Sequence, residues 1–213
     1  MVMMCWKMRT TQCRSMTCWW AEETRSFRMG TNRAIILAAG ASKRLGAHKA
    51  LVEVGGMTLI ELVGEKLQRA NLKVTIVTRG SLEESIRTLL PEAEIVVNPN
   101  PEMGRTGTVQ CGIHSIGVGP VLIVPVDRPG FSISTIDALC RAGVTATPAF
   151  QGRGGHPIAL TSNDCEVILK AKPDIPLRDL IDATKIEVGD SNLHLNIDTP
   201  DDVEQLLRVV DSL

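Results

Sequence analysis

The sequence predicts an α/β fold, in which helices cover both faces of a mainly parallel sheet in a three-layer α/β/α arrangement. Short runs of aliphatic and β-branched residues recur along the chain, and helical patterns lie between many of them. Apolar residues make up 44% of the 213 residues, which is enough for one sizeable core. Alternating strands and helices are typical of parallel sheets that are buried on both faces.

Seven segments have the composition of strands, at residues 33–37, 73–78, 94–98, 120–125, 145–150, 157–160 and 185–188. Residues 58–70 repeat leucine and valine at helical spacing, and residues 203–210 do the same. The second of these helices is expected to begin at Thr199 and Pro200, because threonine is a favoured N-cap and proline is favoured at the first helical position. Ligands of such sheets bind beyond the carboxyl ends of the strands.

Residues 1–28 differ in composition from the rest of the chain. They contain all three tryptophans, three of the six cysteines and five of the eight methionines, without helical or strand periodicity. They have neither the apolar stretch and cleavage site of a signal peptide nor the close cysteine pairs of a zinc knuckle. We therefore expect a disordered or non-native leader, followed by one domain over residues 29–213.

Charge and hydropathy limit the classes of partner. The 23 basic side chains balance 24 acidic ones, so no overall field favours nucleic acid or a membrane surface. The longest apolar runs are far shorter than the roughly 18 to 20 residues that span a bilayer. The cysteines of the domain, Cys111, Cys140 and Cys165, are solitary, as is typical of a reducing compartment. We expect a cytoplasmic monomer whose anion sites are local.

The first predicted strand ends in a loop suited to phosphate, within the stretch IILAAGASKRLGAHK at residues 35–49. Glycines in such a loop let backbone amides approach phosphate oxygens closely. The spacing of the glycines excludes both the Walker loop and the dinucleotide fingerprint. Ser42, Arg44 and Lys49 supply a hydroxyl, a guanidinium and an ammonium group, a combination that suits a triphosphate. The alternative is a basic surface loop in solvent, which we prefer for Lys43 or His48 taken alone.

Residues 37–49, LAAGASKRLGAHK, resemble the signature L-A-A-G-x-S-x-R-M-G-x-x-K of the nucleotidyltransferases that include the molybdenum cofactor cytidylyltransferases and guanylyltransferases. Four later segments resemble further motifs of that family, in the same order: NPNPEMGRTGTVQCG, VLIVPVDRP, GGHPIAL and NIDTPDD. The resemblance covers residues 33–211. It implies a Rossmann-like nucleotidyltransferase fold.

The resemblance also implies which residues bind the nucleotide. The backbone of residues 37–40 and Ser42 would contact base, ribose and phosphate, and Arg44 and Lys49 would bind the phosphates. Arg44 and Lys49 are therefore the expected catalytic residues, with Lys49 stabilising the charge that develops on the transferred group. The complete expected nucleotide site is Leu37, Ala38, Ala39, Gly40, Ser42, Arg44, Lys49 and Asn98.

Asp127 and Asp198 are the expected metal ligands. Asp127 follows an apolar strand directly, which places a carboxylate at the carboxyl edge of the sheet, and Mg²⁺ takes one or two carboxylates together with phosphate oxygens and water. The alternative for Asp127 is a turn before Arg-Pro-Gly, and the alternative for Asp198 is an acidic helix start. Asn196 stands where the family often has aspartate, so the second ligand position departs from the pattern.

Gly104, Thr108 and His156 are the expected acceptor-binding residues. Gly104 follows the third strand, where a loop could close over the base or the acceptor, and Thr108 stands where the family has serine. His156 either contacts the acceptor or fixes the turn before Pro157. Arg128 replaces a neutral residue of the family and could contact phosphate, acceptor or solvent.

The function implied is Mg²⁺-dependent transfer of CMP from CTP to molybdopterin, with release of pyrophosphate. LAAG rather than LAGG resembles the cytidine branch, and the methyl group of Ala39 would narrow the space for a purine. Molybdoenzyme maturation proteins are possible partners of such an enzyme. The alternatives are a GTP-using guanylyltransferase, a transferase acting on a sugar phosphate or other phosphorylated acceptor, and a nucleotide-binding regulator without turnover.

Overall fold

The computed structural model describes residues 30–41 and 45–210. The expected leader at residues 1–28 and the expected nucleotide ligands Ser42 and Arg44 lie outside the described residues. Within the described part of the chain, no helix is both long and apolar enough to cross a membrane.

All seven predicted strands are present, and their ends fall within one residue of the prediction. The strands are β1 (Arg33–Leu37), β2 (Glu53–Val54), β3 (Met57–Thr58), β4 (Lys73–Thr78), β5 (Glu94–Val97), β6 (Val121–Pro125), β7 (Ala146–Phe150), β8 (Arg153–Gly154), β9 (Ile158–Leu160) and β10 (Thr184–Glu187). Three strands were not predicted, namely β2, β3 and β8. Each has only two residues, which is too short for an alternating pattern to be visible.

The main sheet has the order β10-β7-β9-β6-β1-β4-β5, with β8 paired to β7. Strands β6, β1, β4 and β5 run parallel to one another, and β10 runs parallel to β7. Strand β9 runs antiparallel to both of its neighbours. The prediction of a mainly parallel sheet is confirmed, and β9 makes the sheet mixed.

Six helices lie in the described part of the chain: α1 (Leu59–Arg69), α2 (Glu83–Leu89), α3 (Arg105–Ile116), α4 (Ile133–Arg141), α5 (Ser162–Lys170) and α6 (Pro200–Leu207). Alternate residues of β1 belong to two separate apolar clusters, so the sheet is buried on both faces. Helices α1, α2, α4 and α6 pack on the face of Ile36, whereas α3 and α5 pack on the face of Ile35. The three-layer prediction is confirmed.

Two helix starts are fixed by reciprocal side-chain caps. Thr58 caps α1 together with Glu61, and Thr199 caps α6 together with Asp202, with Pro200 at the first helical position. The predicted start of the last helix is therefore confirmed. This start matters for function because it follows Asp198 directly.

Candidate active site

A cavity of about 550 Å³ opens at the carboxyl ends of the parallel strands. Side chains from distant parts of the sequence line it because parallel strands end at the same edge of a sheet. The expected site residues that line it are Leu37, Ala38, Ala39, Gly40, Lys49, Gly104, Thr108, Asp127 and Asp198. Asn98 and His156 are not part of the lining.

The loop after β1 is held by an arginine that sequence reasoning missed. The guanidinium of Arg79 donates hydrogen bonds to the carbonyl oxygen of Ala39 from Nε at 3.1 Å and from a terminal nitrogen at 2.6 Å. The same side chain forms an ion pair with Glu102 at 3.3 Å. Arg79 directly follows β4, the neighbour of β1, and that position is the signal that could have found it.

Lys49, Asp127 and Asp198 meet in the cavity. The ammonium group of Lys49 donates to Asp127 Oδ2 at 3.0 Å and to Asp198 Oδ1. The three side chains are only 15%, 18% and 20% exposed, so their charges are less screened than those of a surface ion pair. Asn196 donates to the other oxygen of Asp198 at 2.5 Å. The structure thus joins the expected phosphate ligand Lys49 to both expected metal ligands.

Backbone hydrogen bonds fix the two carboxylates relative to each other. The carbonyl oxygen of Asp127 accepts from the amide of Ile197 at 3.0 Å. The amide of Asp198 donates to Asp202 Oδ2 at 2.9 Å. The hydroxyl of Thr199 and the amides of Asp198 and Thr199 donate to the Asp202 carboxylate, and these bonds lower its pKa. The cap of α6 therefore also positions Asp198.

The pair Asp127 and Asp198 fits a divalent cation. Oxygen atoms of both carboxylates already converge on one positive charge, the ammonium of Lys49, and carboxylate oxygens are the donors that Mg²⁺ and Mn²⁺ prefer. Within residues 30–41 and 45–210, no group of three or more histidine, cysteine, aspartate or glutamate side chains could hold a metal. A cation here would take its remaining ligands from phosphate and water.

The loop between β5 and α3 is braced from inside the protein. Asn98 is only 4% exposed; its amide nitrogen donates to Thr108 Oγ1 at 3.1 Å, and its oxygen accepts from the amide of Asn100 at 2.9 Å. Gly104 has a φ of +125°, and a Cβ there would lie 2.6 Å from the carbonyl oxygen of Pro173. Asn98 supports the loop that carries Gly104 and Thr108, and its contact with nucleotide stays a prediction.

His156 lies beside the cavity and close to its charges. Its Nδ1 atom is buried and has no hydrogen-bond partner among the described residues. Burial and the nearby guanidinium groups of Arg105 and Arg128 lower the pKa of His156 to about 4, against a smaller opposing effect of Asp127. The imidazole is therefore neutral at neutral pH. Arg105 was not among the expected site residues.

Comparison with known sequences agrees with the resemblance read from the motifs. The profile of the MobA-like NTP transferase domain matches residues 34–188. The molybdenum cofactor guanylyltransferase of Vibrio atlanticus is 31% identical over 110 residues, which cover 51% of this chain and 55% of that protein. The molybdenum cofactor cytidylyltransferase of Escherichia coli is 24% identical over 176 residues, which cover 79% of this chain and 91% of that protein. The chain thus spans about half the length of the first of these relatives.

Comparison with solved structures supports the fold. A Mycobacterium tuberculosis protein, crystallised in complex with manganese, superposes with a TM-score of 0.67 at 18% sequence identity. The match covers 83% of this chain and 97% of that one. Since the family profile spans most of the sequence, from the first strand of the sheet to its last, the chain belongs to the family of MobA-like NTP transferase domains.

Proposed function

We propose that this protein transfers CMP from CTP to molybdopterin and releases pyrophosphate, with a divalent cation bound at Asp127 and Asp198. The observation that carries the proposal is the meeting of three features in one cavity: the glycine-containing loop after β1, the ammonium of Lys49 and two converging carboxylates. Carboxylates alone would repel a triphosphate, and a lysine alone would not align two substrates.

In nucleotidyl transfer the protein mainly neutralises charge on the phosphates and aligns the two substrates. An acceptor oxygen attacks the α-phosphorus, and the bond to the pyrophosphate group breaks. Lys49 neutralises charge on the transferred phosphate, because its long flexible stem lets the ammonium exchange a carboxylate oxygen for a phosphate oxygen. A cation held by Asp127 and Asp198 would withdraw charge from the phosphate oxygens, and the manganese complex of the M. tuberculosis neighbour supports this assignment.

The base is assigned to cytosine from the loop after β1. Ala39 is only 3% exposed, lines the cavity and has its carbonyl oxygen fixed by Arg79, so its methyl group occupies a defined place in the cavity wall. A glycine there would leave more room for a purine. The relatives divide between the two bases, since the E. coli protein is named a cytidylyltransferase and the Vibrio protein a guanylyltransferase.

The proposal is tested by pyrophosphate release with each of the four nucleoside triphosphates, with and without molybdopterin, in the presence of Mg²⁺. Release is expected only with molybdopterin, and with a higher kcat/KM for CTP than for GTP. Equal or higher efficiency with GTP would reverse the assignment of the base. Release with glucose 1-phosphate but not with molybdopterin would move the protein to the sugar-phosphate transferases, and no release with any pair would contradict transfer.

A further inference from the structure

Lys66 is the only buried charged residue in the part of the chain that the structure describes. Only 5% of the residue is exposed, and it lies on the buried face of α1, at helical spacing from Leu59 and Val63. The other buried polar residues described there are threonines and Asn98. A lysine is almost never fully buried unless a partner binds its charge.

The partners of Lys66 are two carbonyl oxygens in the loop between β6 and α4. Its ammonium group donates to the carbonyl oxygen of Pro129 at 2.8 Å and to that of Phe131 at 3.1 Å. The ammonium nitrogen also lies 5.3 Å from the centre of the Phe131 ring, which is within the range of a cation–π contact. One buried charge therefore binds two points of the loop that carries Asp127.

The same loop also contacts the segment that leads to Asp198. The amide of Ser132, at the end of the loop, donates to Asp190 Oδ2 at 2.8 Å. The backbones approach closely at Gly130, where a Cβ atom would lie 1.9 Å from the carbonyl oxygen of Asn192. The loop after β6 is thus packed between elements of the core and the segment before the second carboxylate, and Lys66 is its contact with α1.

The charge of Lys66 lowers the stability of the fold. Burial lowers the pKa of Lys66 from its ordinary value of 10.5 to about 8, against a smaller opposing effect of Asp190. The side chain is therefore mainly protonated at neutral pH. Because the unfolded chain binds this proton more tightly, the charge costs folding free energy in full below about pH 8, and the cost vanishes as pH rises past 10.5. An apolar side chain of similar size would avoid this cost, so stability alone does not explain a lysine here.

We propose that Lys66 is a positioning residue of the active site, which holds the loop after β6 by the carbonyl oxygens of Pro129 and Phe131 and thereby places Asp127 for its cation. This inference rests on the proposed function, because it concerns the cation site of that reaction. Lys66 lies outside every motif that resembles the family, and it does not line the cavity. It acts through the backbone of the loop and touches neither substrate nor cation.

The test is the Mn²⁺ affinity of the nucleotide-free protein, measured by electron paramagnetic resonance of free Mn²⁺, together with the urea midpoint of unfolding. Lys66→Met keeps the length of the side chain but removes the charge and the donors. Its Mn²⁺ affinity is expected to fall about tenfold to a hundredfold, the usual effect of losing a group that orients a metal ligand. Its urea midpoint should change little, because the relief of a buried charge offsets the two lost hydrogen bonds.

Val63→Ala is the matched control, because it changes a fully buried residue one turn earlier on α1. It should lower the urea midpoint by leaving a cavity, and it should keep the wild-type Mn²⁺ affinity. Asp127→Asn is the reference and should remove most Mn²⁺ binding at this site. If Lys66→Met does not fold, Lys66→Gln, which loses the charge but keeps an amide donor, takes its place with the same expected direction.

Unchanged Mn²⁺ affinity in a folded Lys66 variant, beside a clear loss in Asp127→Asn, would overturn the inference. An equal loss of affinity in Val63→Ala would also overturn it, because a general loosening of α1 would then account for the effect. If the wild type bound no Mn²⁺, the cation site would be wrong, and this inference with it. If Lys66→Met lowers the Mn²⁺ affinity while no triphosphate is turned over, the positioning role stands and the proposed function fails.

Discussion

Two loops at the cavity are braced by side-chain hydrogen bonds, whereas two arginines of its lining make none within the described part of the chain. Arg79 holds the carbonyl oxygen of Ala39, and Asn98 donates to Thr108. Arg105 is exposed and Arg128 is half-buried, and neither guanidinium makes a hydrogen bond or an ion pair with the residues that the structure describes. The loops are shaped before a ligand binds, whereas the two guanidinium groups are open to solvent and to ligands.

The difference bears on how the cavity binds a ligand. A loop that is already braced binds its ligand with little loss of conformational entropy. A guanidinium group without a protein partner is available to an anionic ligand. Lys49, Asp127 and Asp198 lie in the same cavity, where the proposed function places the transferred phosphate.

The largest expected effect is that of Asp127→Asn. The change keeps the size and the hydrogen bonding of the side chain but removes the charge that would hold a divalent cation. We expect the activation free energy to rise by about 4 kcal/mol, which lowers kcat on the order of a thousandfold. The fold should persist because the backbone of residue 127 still accepts from Ile197. Asp198→Asn should be milder. Asp137→Asn, exposed on α4, is the control.

Steady-state turnover across a Mg²⁺ titration measures these effects. Near-native turnover of Asp127→Asn at limiting Mg²⁺, or wild-type turnover in excess chelator, would contradict the metal assignment.

Lys49→Met should lower kcat by roughly a hundredfold to a thousandfold, the usual effect of removing one group that stabilises a transition state. In nucleotide-free protein the same change should strengthen Mn²⁺ binding, because the ammonium that both carboxylates bind no longer competes with the cation. Electron paramagnetic resonance of free Mn²⁺ measures this affinity. Lys170→Met, which changes an exposed lysine on α5, is the control and should change neither kcat nor the Mn²⁺ affinity. Weaker Mn²⁺ binding in Lys49→Met would show that the ammonium does not compete with the cation.

Arg79→Leu should raise the KM for the triphosphate about tenfold and leave the KM for the acceptor unchanged. Two hydrogen bonds to the carbonyl of Ala39 are lost, and together they are worth roughly 1.5 to 3 kcal/mol. Initial rates with each substrate varied in turn measure both constants. A larger change in the KM for the acceptor than in the KM for the triphosphate would contradict the assignment of this loop to the nucleotide.

The smallest expected effect concerns stability in acid. The pKa of His156 is about 4 in the folded protein, below its ordinary value of 6.5, so the unfolded chain binds the proton first as pH falls. The contribution of His156 to the free energy of unfolding is complete above pH 6.5 and is lost as pH falls toward 4. His156→Gln should therefore flatten the dependence of the urea midpoint on pH between 6.5 and 4.

His114→Gln, an exposed histidine on α3, should keep the wild-type slope of that dependence. Parallel slopes for wild type and His156→Gln would show that burial and the two arginines do not perturb this imidazole.

The sequence predicted the strands and the ligand loop well because both signals are local. Short apolar runs predicted where the strands begin and end, and one continuous motif predicted the loop after β1. The ion pairs of Lys49 were not predicted, because its partners lie 78 and 149 residues further along the chain and meet it only through the order of the sheet. Arg79 and Arg105 were missed because a single arginine after a strand or at a helix start resembles any surface arginine.

Two further predictions show the limit of motif reading. Asn98 was expected to contact nucleotide, but its side chain is buried against Thr108, so the motif position serves at least in part to brace a loop. His156 was expected to contact the acceptor or to fix a turn. Its burial and its unpartnered Nδ1 could not be read from the sequence, because they depend on α3 and on the residues after β6.

The central claim is that the protein transfers the α-phosphate of a triphosphate, as CMP, to an acceptor held in the same cavity. The most direct test follows phosphorus label in a single turnover with molybdopterin and CTP, labelled at either the α- or the γ-phosphate. The account predicts that all α-label enters a dinucleotide product joined by a P–O–P bond, and that all γ-label leaves as pyrophosphate. Label from the γ-phosphate on the acceptor, or α-label released as free CMP with the acceptor unchanged, would contradict it.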